Sequence, residues 1–250
     1  ARRLSDNVFS YTFVLLFFGL ILTFVITTYS DSMNTQSTKN SSPITVIIDA
    51  GHGGEDGGAV GVDGVVEKNL NLPIALEVAK LLKKDGINVV LTRDGDYAIY
   101  SDEATSIREK KVSDIHNRFA IIEDTKDCIF VSIHMNHYDS ASCSGAQTFY
   151  SDNNEDSEVL AQSIQTSIKT DLQPTNERMI KPATSSIYLL YYAQVPAVLV
   201  ECGFISNPEE SKQLQDEMYQ KDMAKSIYNG ILDYLEKDSQ NIKSKETTKK

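Results

Sequence analysis

The sequence predicts a single α/β domain built on a mostly parallel, twisted sheet of about six strands with helices on both faces. Two observations lead to this prediction. Short, apolar, β-branched runs alternate with longer segments whose apolar residues recur at helical spacing, a pattern typical of strands joined by crossover helices. The composition also shows no break between Ile44 and Leu235, so we expect one folded domain over residues 44–235.

Strands and helices are expected to alternate through the first half of this domain. Apolar, β-branched runs predict strands, and apolar residues at every third or fourth position predict helices. The helix that opens at Glu67 should end near Gly86, because glycine often follows the last helical residue. The predicted strands are Ile44–Ile48, Ile87–Leu91 and Cys128–Ile133, and the predicted helices are Glu67–Asp85 and Ile115–Ile122.

The second half continues the same alternation. Asn207 should cap the last helical region, because Pro208 suits the first helical position and Glu210 the third. We expect this region to run to about Leu235, with a break near Tyr219. The other predicted elements are the strand Ala146–Tyr150 at the sheet edge, the helix Glu155–Leu172 and the short buried strand Ala197–Val200.

The N-terminal segment predicts a membrane anchor. Val8–Tyr29 contains no charged residue, and as a helix it would be about 33 Å long, enough to cross a hydrocarbon core of about 30 Å. No small-residue cleavage pattern follows it, which favours an uncleaved signal anchor. Arg2 and Arg3 precede it and should remain in the cytoplasm. Residues 1–30 are therefore predicted to be a cytoplasmic stub and transmembrane helix, with the domain of residues 44–235 on the extracytoplasmic side.

Polar segments flank the predicted domain. Residues 31–43 are rich in Ser, Thr and Asn, which predicts a flexible linker. Residues 236–250 are polar and Lys-rich, and we expect a disordered tail there. The formal charge of -11 argues against nucleic-acid binding, because phosphate backbones require clustered Lys and Arg.

Three cysteines are too few and too widely spaced for a disulfide framework or a Cys-based zinc finger. One bridge between Cys128 and Cys143 is conceivable, but free thiols are favoured. Cys202 follows Glu201 at the end of a predicted strand, where side chains alternate between the two faces of the sheet. We therefore expect Cys202 on the opposite side of the sheet as a buried, inert thiol.

Chemistry-bearing side chains follow three of the predicted strands. His52 lies in a Gly-rich loop after the first strand, His134 ends the run Ile129–Ile133, and Glu201 follows the strand Ala197–Val200. In parallel sheets, residues beyond the carboxyl ends of the strands meet in one crevice. With Glu67 they offer two imidazoles and a carboxylate, a typical zinc set, and a second carboxylate to move a proton. This combination indicates amide hydrolysis.

Each of these residues also has a structural interpretation. The glycines around His52 could form a nucleotide loop, but the dinucleotide fingerprint fails because Asp56 occupies its sixth position. Glu67 could favour the helix dipole, and His134 could be an ordinary core histidine. Glu201 is more specific, because a carboxylate after a buried strand is costly without a partner.

The two other histidines are less promising. His116 lies in a polar helix start and should be a solvated surface residue. His137 follows His134 too closely in a turn to be an expected ligand, so it should face substrate or support a ligand.

As a set, five segments resemble the zinc-dependent N-acetylmuramoyl-L-alanine amidases of the type 3 family, over roughly Ile44–Leu235. The segments are Val46–Gly54, Glu67–Leu72, Thr92-Arg93, Val131–Asn136 and Pro196–Asn207. The resemblance implies cleavage of the amide between the lactyl group of N-acetylmuramic acid and the L-alanine of the peptidoglycan stem. It implies His52, Glu67 and His134 as Zn²⁺ ligands and Glu201 as the catalytic glutamate. Asp49 would orient a ligand.

A single amidase domain behind a signal anchor further resembles the sporulation amidases that form muramic lactam in spore cortex. Because the chain has no Trp, sugar stacking would fall to tyrosines such as Tyr188, Tyr191 or Tyr192. The polar stretch Asp94–Lys111 has no assigned role. The sequence leaves open whether an accessory protein or a dimer is required. Two alternatives remain: a non-catalytic peptidoglycan-binding or regulatory module, and a zinc peptidase acting on another peptide.

Overall fold

The computed structural model describes the backbone of residues 44–247 and the side chains as far as Asp238. Six strands form one sheet in the order β2-β1-β3-β6-β4-β5. The strands are β1 (Thr45–Ala50), β2 (Asn88–Leu91), β3 (Cys128–Asn136), β4 (Gln147–Tyr150), β5 (Lys181–Pro182) and β6 (Ala197–Phe204). The predicted α/β class with a mostly parallel sheet is confirmed.

Within residues 44–247, six α-helices and one short 3-10 helix accompany these strands. The α-helices are α1 (Glu67–Lys84), α2 (Ile107–Asp124), α3 (Asp156–Asp171), α4 (Tyr188–Tyr192), α5 (Pro208–Leu214) and α6 (Glu217–Thr247). The 3-10 helix is Val62–Gly64. As predicted, a glycine with positive φ, Gly86, follows the end of α1.

The sheet is covered on both faces because side chains alternate along each strand. Val46 and Ile48 of β1 belong to a first core, which includes apolar residues of α1, α3 and α6. Ile47 belongs to a second core on the opposite face, together with Ile122 of α2 and Leu190 of α4. This alternation decides which strand residues can enter the crevice beside the second core.

The edge of the sheet differs from the prediction. Strands β2, β1, β3 and β6 are parallel, and β4 pairs antiparallel with β6. The expectation that Ala146–Tyr150 lies at the edge is wrong, because the two-residue strand β5 pairs with Phe149 and Tyr150 on its outer side. Lys181 and Pro182 carry no strand periodicity in the sequence, so this addition could not be recognised.

Two strands continue further than predicted. β3 extends past Ile133 to Asn136, and β6 extends past Val200 to Phe204. His134 and Glu201 therefore lie inside neighbouring strands and are register partners, and an irregularity follows between His134 and Asn136. Both side chains lie near the carboxyl ends of their strands and therefore at the same end of the sheet.

Helix boundaries also shift. α2 begins at Ile107 rather than Ile115, because Ser106 and Glu109 form a reciprocal capping box. Part of the unassigned stretch Asp94–Lys111 is therefore helical. The predicted cap at Asn207 is confirmed by its side chain, which accepts from the backbone N–H groups of Glu209 and Glu210.

The termini are only partly described. The predicted transmembrane segment, residues 1–30, and nearly all of the predicted linker lie outside the described residues. Between residues 44 and 247, no helix is both long enough and apolar enough to cross a membrane. The prediction of a disordered tail from Glu236 is wrong as far as Thr247, because α6 continues to that residue. Lys, Glu and Gln favour helix, and neither Gly nor Pro interrupts the segment.

Candidate metal centre

One face of the sheet carries the candidate chemistry. Asp49, Ser132, His134 and Glu201 alternate with residues of the first core and so point toward the second core, at the carboxyl ends of β1, β3 and β6. Cys202 points the other way and is fully buried in the first core, as predicted. Burial raises the pKa of the Cys202 thiol well above its usual value, so it remains protonated.

Glu67 is the anchor of the site. It opens α1 and is 4% exposed. Its Oε1 accepts from the Met135 N–H at 3.1 Å and lies 2.9 Å from Nδ1 of His134. Its Oε2 accepts from the Ala59 N–H at 2.9 Å and lies 3.2 Å from Nε2 of His52. Burial alone would raise the pKa of Glu67, but the two histidines hold it far below its usual range.

His52 presents a defined nitrogen to Glu67. Its Nδ1 lies 2.8 Å from Oδ2 of Asp56, so Nε2 is the atom turned toward the glutamate. Burial lowers the pKa of His52, but Asp56 and Glu67 overcome this and raise it to about 9. Gly58, with φ +70°, leaves the space required, because a Cβ there would lie 2.5 Å from Oε2 of Glu67 and 2.6 Å from Cδ2 of His52.

His134 turns Nδ1, rather than Nε2, toward Glu67. A Cβ on Gly51 would lie 2.2 Å from Nε2 of His134, so this edge of the ring packs closely against the glycine backbone. Nδ1 is therefore the atom that faces Glu67. The rings of His52 and His134 are 5.0 Å apart between centroids and are nearly perpendicular. One ligand atom from each of the three residues lies within 4.8 Å of the others.

This donor set fits a divalent metal such as zinc. Two imidazole nitrogens and one carboxylate oxygen are common Zn²⁺ ligands, and tetrahedral ligands at about 2.1 Å from the ion would be roughly 3.4 Å apart. The two contacts of Glu67 with His52 and His134, at 3.2 and 2.9 Å, are close to that separation. The predicted ligands are therefore brought together by the fold.

Glu201 lies beside this cluster, in surroundings that differ from those of Glu67. It is the register partner of His134 on β6. The residue is partly exposed, but its Oε2 is buried and has no hydrogen-bond partner among the described residues. Burial is the main cause that raises the pKa of Glu201 to about 7; Glu67 adds to this, whereas His134 and His52 oppose it.

The family of the chain follows from sequence comparison. A family model described as N-acetylmuramoyl-L-alanine amidase matches residues 46–233, which include all four of these side chains. The chain belongs to this amidase family. The resemblance inferred from its motifs is thereby confirmed.

Individual amidases show the same likeness. The germination-specific N-acetylmuramoyl-L-alanine amidase of Bacillus subtilis is 33% identical over 220 residues, covering 87% of this chain and 92% of that protein. The structure of the CwlD amidase from Clostridioides difficile, in complex with the GerS lipoprotein, is 42% identical with a TM-score of 0.75. It covers 77% of this chain and 98% of that one. The amidase AmiC2 of Nostoc punctiforme is 33% identical with a TM-score of 0.68, covering 79% and 99% of the two chains.

Asp49 supports this amidase site. It accepts hydrogen bonds from Thr92 at 2.7 Å, Ser132 at 2.5 Å and Arg118 at 2.5 Å, rather than from a candidate ligand. Arg118 also donates to the backbone carbonyl of His52 at 2.8 Å. Asp49 therefore contacts the His52 loop through Arg118 and bonds no candidate ligand side chain, and the expectation that it orients a ligand stays a prediction.

Sequence reasoning missed other residues that hold the amidase site. Arg93 is 1% exposed and donates to the backbone carbonyls of Ala50, Gly51 and Lys68. Asn71 donates to the Gly51 carbonyl at 3.1 Å and lies 3.4 Å from Oε1 of Glu67. Thr92-Arg93 was recognisable as a family segment, and Asn71 lies one helical turn after Glu67. Neither signal indicates which carbonyl such a side chain reaches.

A cavity of about 270 Å³ adjoins the candidate ligands. His52, His134 and Tyr188 line it. The rings of Tyr188 and Tyr192 are 4.7 Å apart between centroids, and Tyr191 and Tyr192 are 47% and 49% exposed. The three tyrosines therefore form an aromatic surface that continues from the cavity, all carried by the short helix α4.

The remaining predictions concern residues outside the cluster. His116 is exposed, as expected, but it lies within α2 and its ring is 5.3 Å from that of Tyr188. His137 is exposed and is absent from the three-residue cluster. The three cysteines are free, so the favoured thiol state is confirmed and the bridge between Cys128 and Cys143 is absent.

Proposed function

We propose that this domain is a zinc-dependent hydrolase that cleaves the amide between the lactyl group of N-acetylmuramic acid and the L-alanine of the stem peptide. Membership of the amidase family supports the reaction class and the peptidoglycan substrate. The observation that carries the proposal is the contrast between the two glutamates of the site. Glu67 joins two histidines, whereas Glu201 on the adjacent strand has a buried carboxyl oxygen with no described partner.

His52, Glu67 and His134 would hold Zn²⁺, and when bound the ion would polarise the substrate carbonyl and activate water. The Glu201 carboxylate then takes a proton from the attacking water and transfers it to the leaving amide nitrogen. A pKa of about 7 for Glu201 suits both transfers near neutral pH. The C–N bond breaks, and the products are a lactyl carboxylate and a stem peptide with a free N-terminal L-alanine.

The glycan is proposed to lie on the α4 side of the site. Tyr188 lines the cavity beside the candidate ligands, and Tyr191 and Tyr192 extend the aromatic surface outward. Sugar rings present apolar C–H faces that pack on aromatic rings. This arrangement supports the expectation that tyrosines replace tryptophan in glycan binding.

The cellular role is proposed to be the formation of muramic lactam in spore cortex, with residues 1–30 anchoring an extracytoplasmic domain. The germination-specific relative of Bacillus subtilis supports a link to spores. The CwlD amidase is described in complex with a lipoprotein. By analogy, we propose that an accessory protein also assists this chain.

The direct test is to incubate the purified full chain with peptidoglycan and zinc and to identify released peptides by mass spectrometry. We expect stem peptides with free N-terminal L-alanine, released about two to four orders of magnitude more slowly by the Glu201→Gln variant. Cleavage within the stem would instead identify a zinc peptidase. Sedimentation with peptidoglycan without any new amine would identify a binding module, and either result would contradict the proposal.

A further inference from the structure

A second, larger cleft shares no lining residue with the tyrosine-lined cavity. Its volume is about 810 Å³. It is lined by the segment before β4, the segment after α3, and α5. None of the candidate metal ligands and none of the three tyrosines belongs to its lining. Its position, next to β4 and the end of β6, places it beside the strand that carries Glu201.

A fixed arginine forms part of the wall of this cleft. Nε of Arg178 donates to the Ser144 carbonyl at 2.7 Å, and Nη1 donates to Oε1 of Gln147 at 3.0 Å. The guanidinium carbon lies 4.4 Å from the ring centroid of Phe204, within the range of a cation–π contact. Three contacts therefore hold a half-buried cation in one orientation.

Within residues 44–238, Arg178 forms no ion pair and its Nη2 has no hydrogen-bond partner. The buried carboxylate in the same wall, Glu210, is already occupied. Its Oε1 accepts from the Gly145 N–H and its Oε2 from the Phe204 N–H, both at 2.8 Å. Glu210 attracts Arg178 through space, but no carboxylate bonds the guanidinium, and Nη2 retains donors that a planar anion can satisfy.

Gln147 links Arg178 to the proposed reaction centre. It is 3% exposed and is the antiparallel register partner of Glu201. Its Nε2 donates to the Met179 carbonyl at 2.7 Å while its Oε1 accepts from Arg178. Arg178 therefore bonds the side chain of the residue that lies directly across from Glu201, the proposed catalytic glutamate, on the neighbouring strand.

We propose that Arg178 binds a free carboxylate of the stem peptide; this inference rests on the proposed amidase function. A substrate cut beside Glu201 has glycan on one side of the scissile bond and peptide on the other. The tyrosines and the cleft lie near different ends of β4, because Asn153, after β4, donates to the Tyr191 carbonyl, whereas Gly145, before β4, lines the cleft. Glu177 and Glu209, both exposed in the cleft lining, disfavour a simple anion and favour a peptide that also carries an ammonium group.

The test compares Arg178→Gln with wild type on muramoyl-peptide substrates whose stem carboxyl groups are amidated one at a time. We expect wild type to favour the free form at one position by about 10- to 100-fold in kcat/KM, mainly through KM. Arg178→Gln should lose this preference and hydrolyse the amidated substrate within about twofold of wild type. Arg108→Gln, which removes an exposed charge on α2, is the control and should keep the preference.

An equal loss on free and amidated substrates would overturn the inference, because Arg178 would then only support the loop at Ser144. Calorimetry with the released stem peptide measures the same contact without turnover. Weaker binding by Arg178→Gln, confined to the peptide with the free carboxylate, supports the contact even if wild type hydrolyses nothing and the amidase proposal fails. Equal binding by both proteins, or binding by neither, contradicts the contact even if hydrolysis is observed.

Discussion

Glu67 and Glu201 lie in one site, yet their surroundings shift their pKa values in opposite directions. Glu67 receives two backbone N–H donors and contacts both histidines, which hold its pKa far below the usual range. Glu201 keeps one buried oxygen without a described partner, and burial raises its pKa to about 7. The difference teaches that the environment, rather than the residue type, assigns one carboxylate to binding and the other to proton transfer.

The backbone explains how two nearby glutamates diverge. Glu67 is the first residue of a helix and faces the Gly-rich loop, where the Ala59 N–H can reach its side chain. Glu201 lies within a strand paired on both sides, so the neighbouring backbone groups are used by the sheet ladder. The loop at Ala59 and the irregular end of β3 at Met135 supply donors to Glu67, whereas no described group donates to the buried oxygen of Glu201.

The largest effect is expected from Glu67→Gln. The substitution removes the anion that joins His52 and His134, so zinc affinity should fall by more than about 100-fold and activity should be lost. Elemental analysis and competition with a chelator measure the metal. Glu77→Gln, in the same helix but paired with Lys80, is the control and should keep zinc. Full zinc content in Glu67→Gln would remove Glu67 from the ligand set.

Arg118→Met tests how much the pair of Asp49 and Arg118, which supports the His52 loop, stabilises the fold when no metal is bound. The substitution leaves Asp49, which is 1% exposed, as a buried charge without its cation. Loss of one partner from a buried pair should cost about 3–5 kcal/mol of unfolding free energy. Urea denaturation of the zinc-free protein measures this cost. A change below about 1 kcal/mol would show that the pair contributes little.

A smaller effect is expected from Asp56→Asn. Asp56 contacts Nδ1 of His52 and thereby leaves Nε2 facing Glu67. Loss of this charge should weaken zinc binding by about 10- to 100-fold while leaving the ligands in place. Chelator competition provides the measurement, and Asp63→Asn in the nearby 3-10 helix is a matched control. Unchanged affinity would mean that Asp56 does not orient the ring.

Asp49 adds a third buried carboxylate to the comparison. Burial alone would raise its pKa, but Arg118, Ser132 and Thr92 lower it from 3.8 to about 2. A lowered folded-state pKa stabilises the fold above pH 3.8, and this contribution is lost as the pH falls toward 2. The expected loss is about 2 kcal/mol. Acid unfolding should show it in wild type and not in Asp49→Asn; identical acid profiles would contradict it.

Much of the candidate site could be predicted from the sequence. His52 and His134 follow apolar runs, and the crevice rule for parallel sheets brings such positions together although they are distant in the chain. Glu67 required the family motif as well, because a first-turn glutamate is usually explained by the helix dipole. Cys202 could be excluded by strand alternation alone, and the structure places it in the opposite core.

Other features depend on contacts that no local pattern encodes. β5 exists because Lys181 and Pro182 pair with β4, and neither residue favours a strand. Arg118 bonds Asp49 across a long separation in sequence. The start of α2 at Ile107 is different, because the capping box of Ser106 and Glu109 is a local pattern that the sequence itself carries.

The most direct test of the central claim is Glu201→Gln measured for zinc content and turnover together. The proposed division of roles predicts one unchanged zinc site and a fall in kcat of about two to four orders of magnitude. Cys202→Ala, the adjacent residue on the opposite face, should keep both zinc and turnover. Near-normal turnover in Glu201→Gln, or loss of its zinc, would contradict the assignment of proton transfer to Glu201 and metal binding to Glu67.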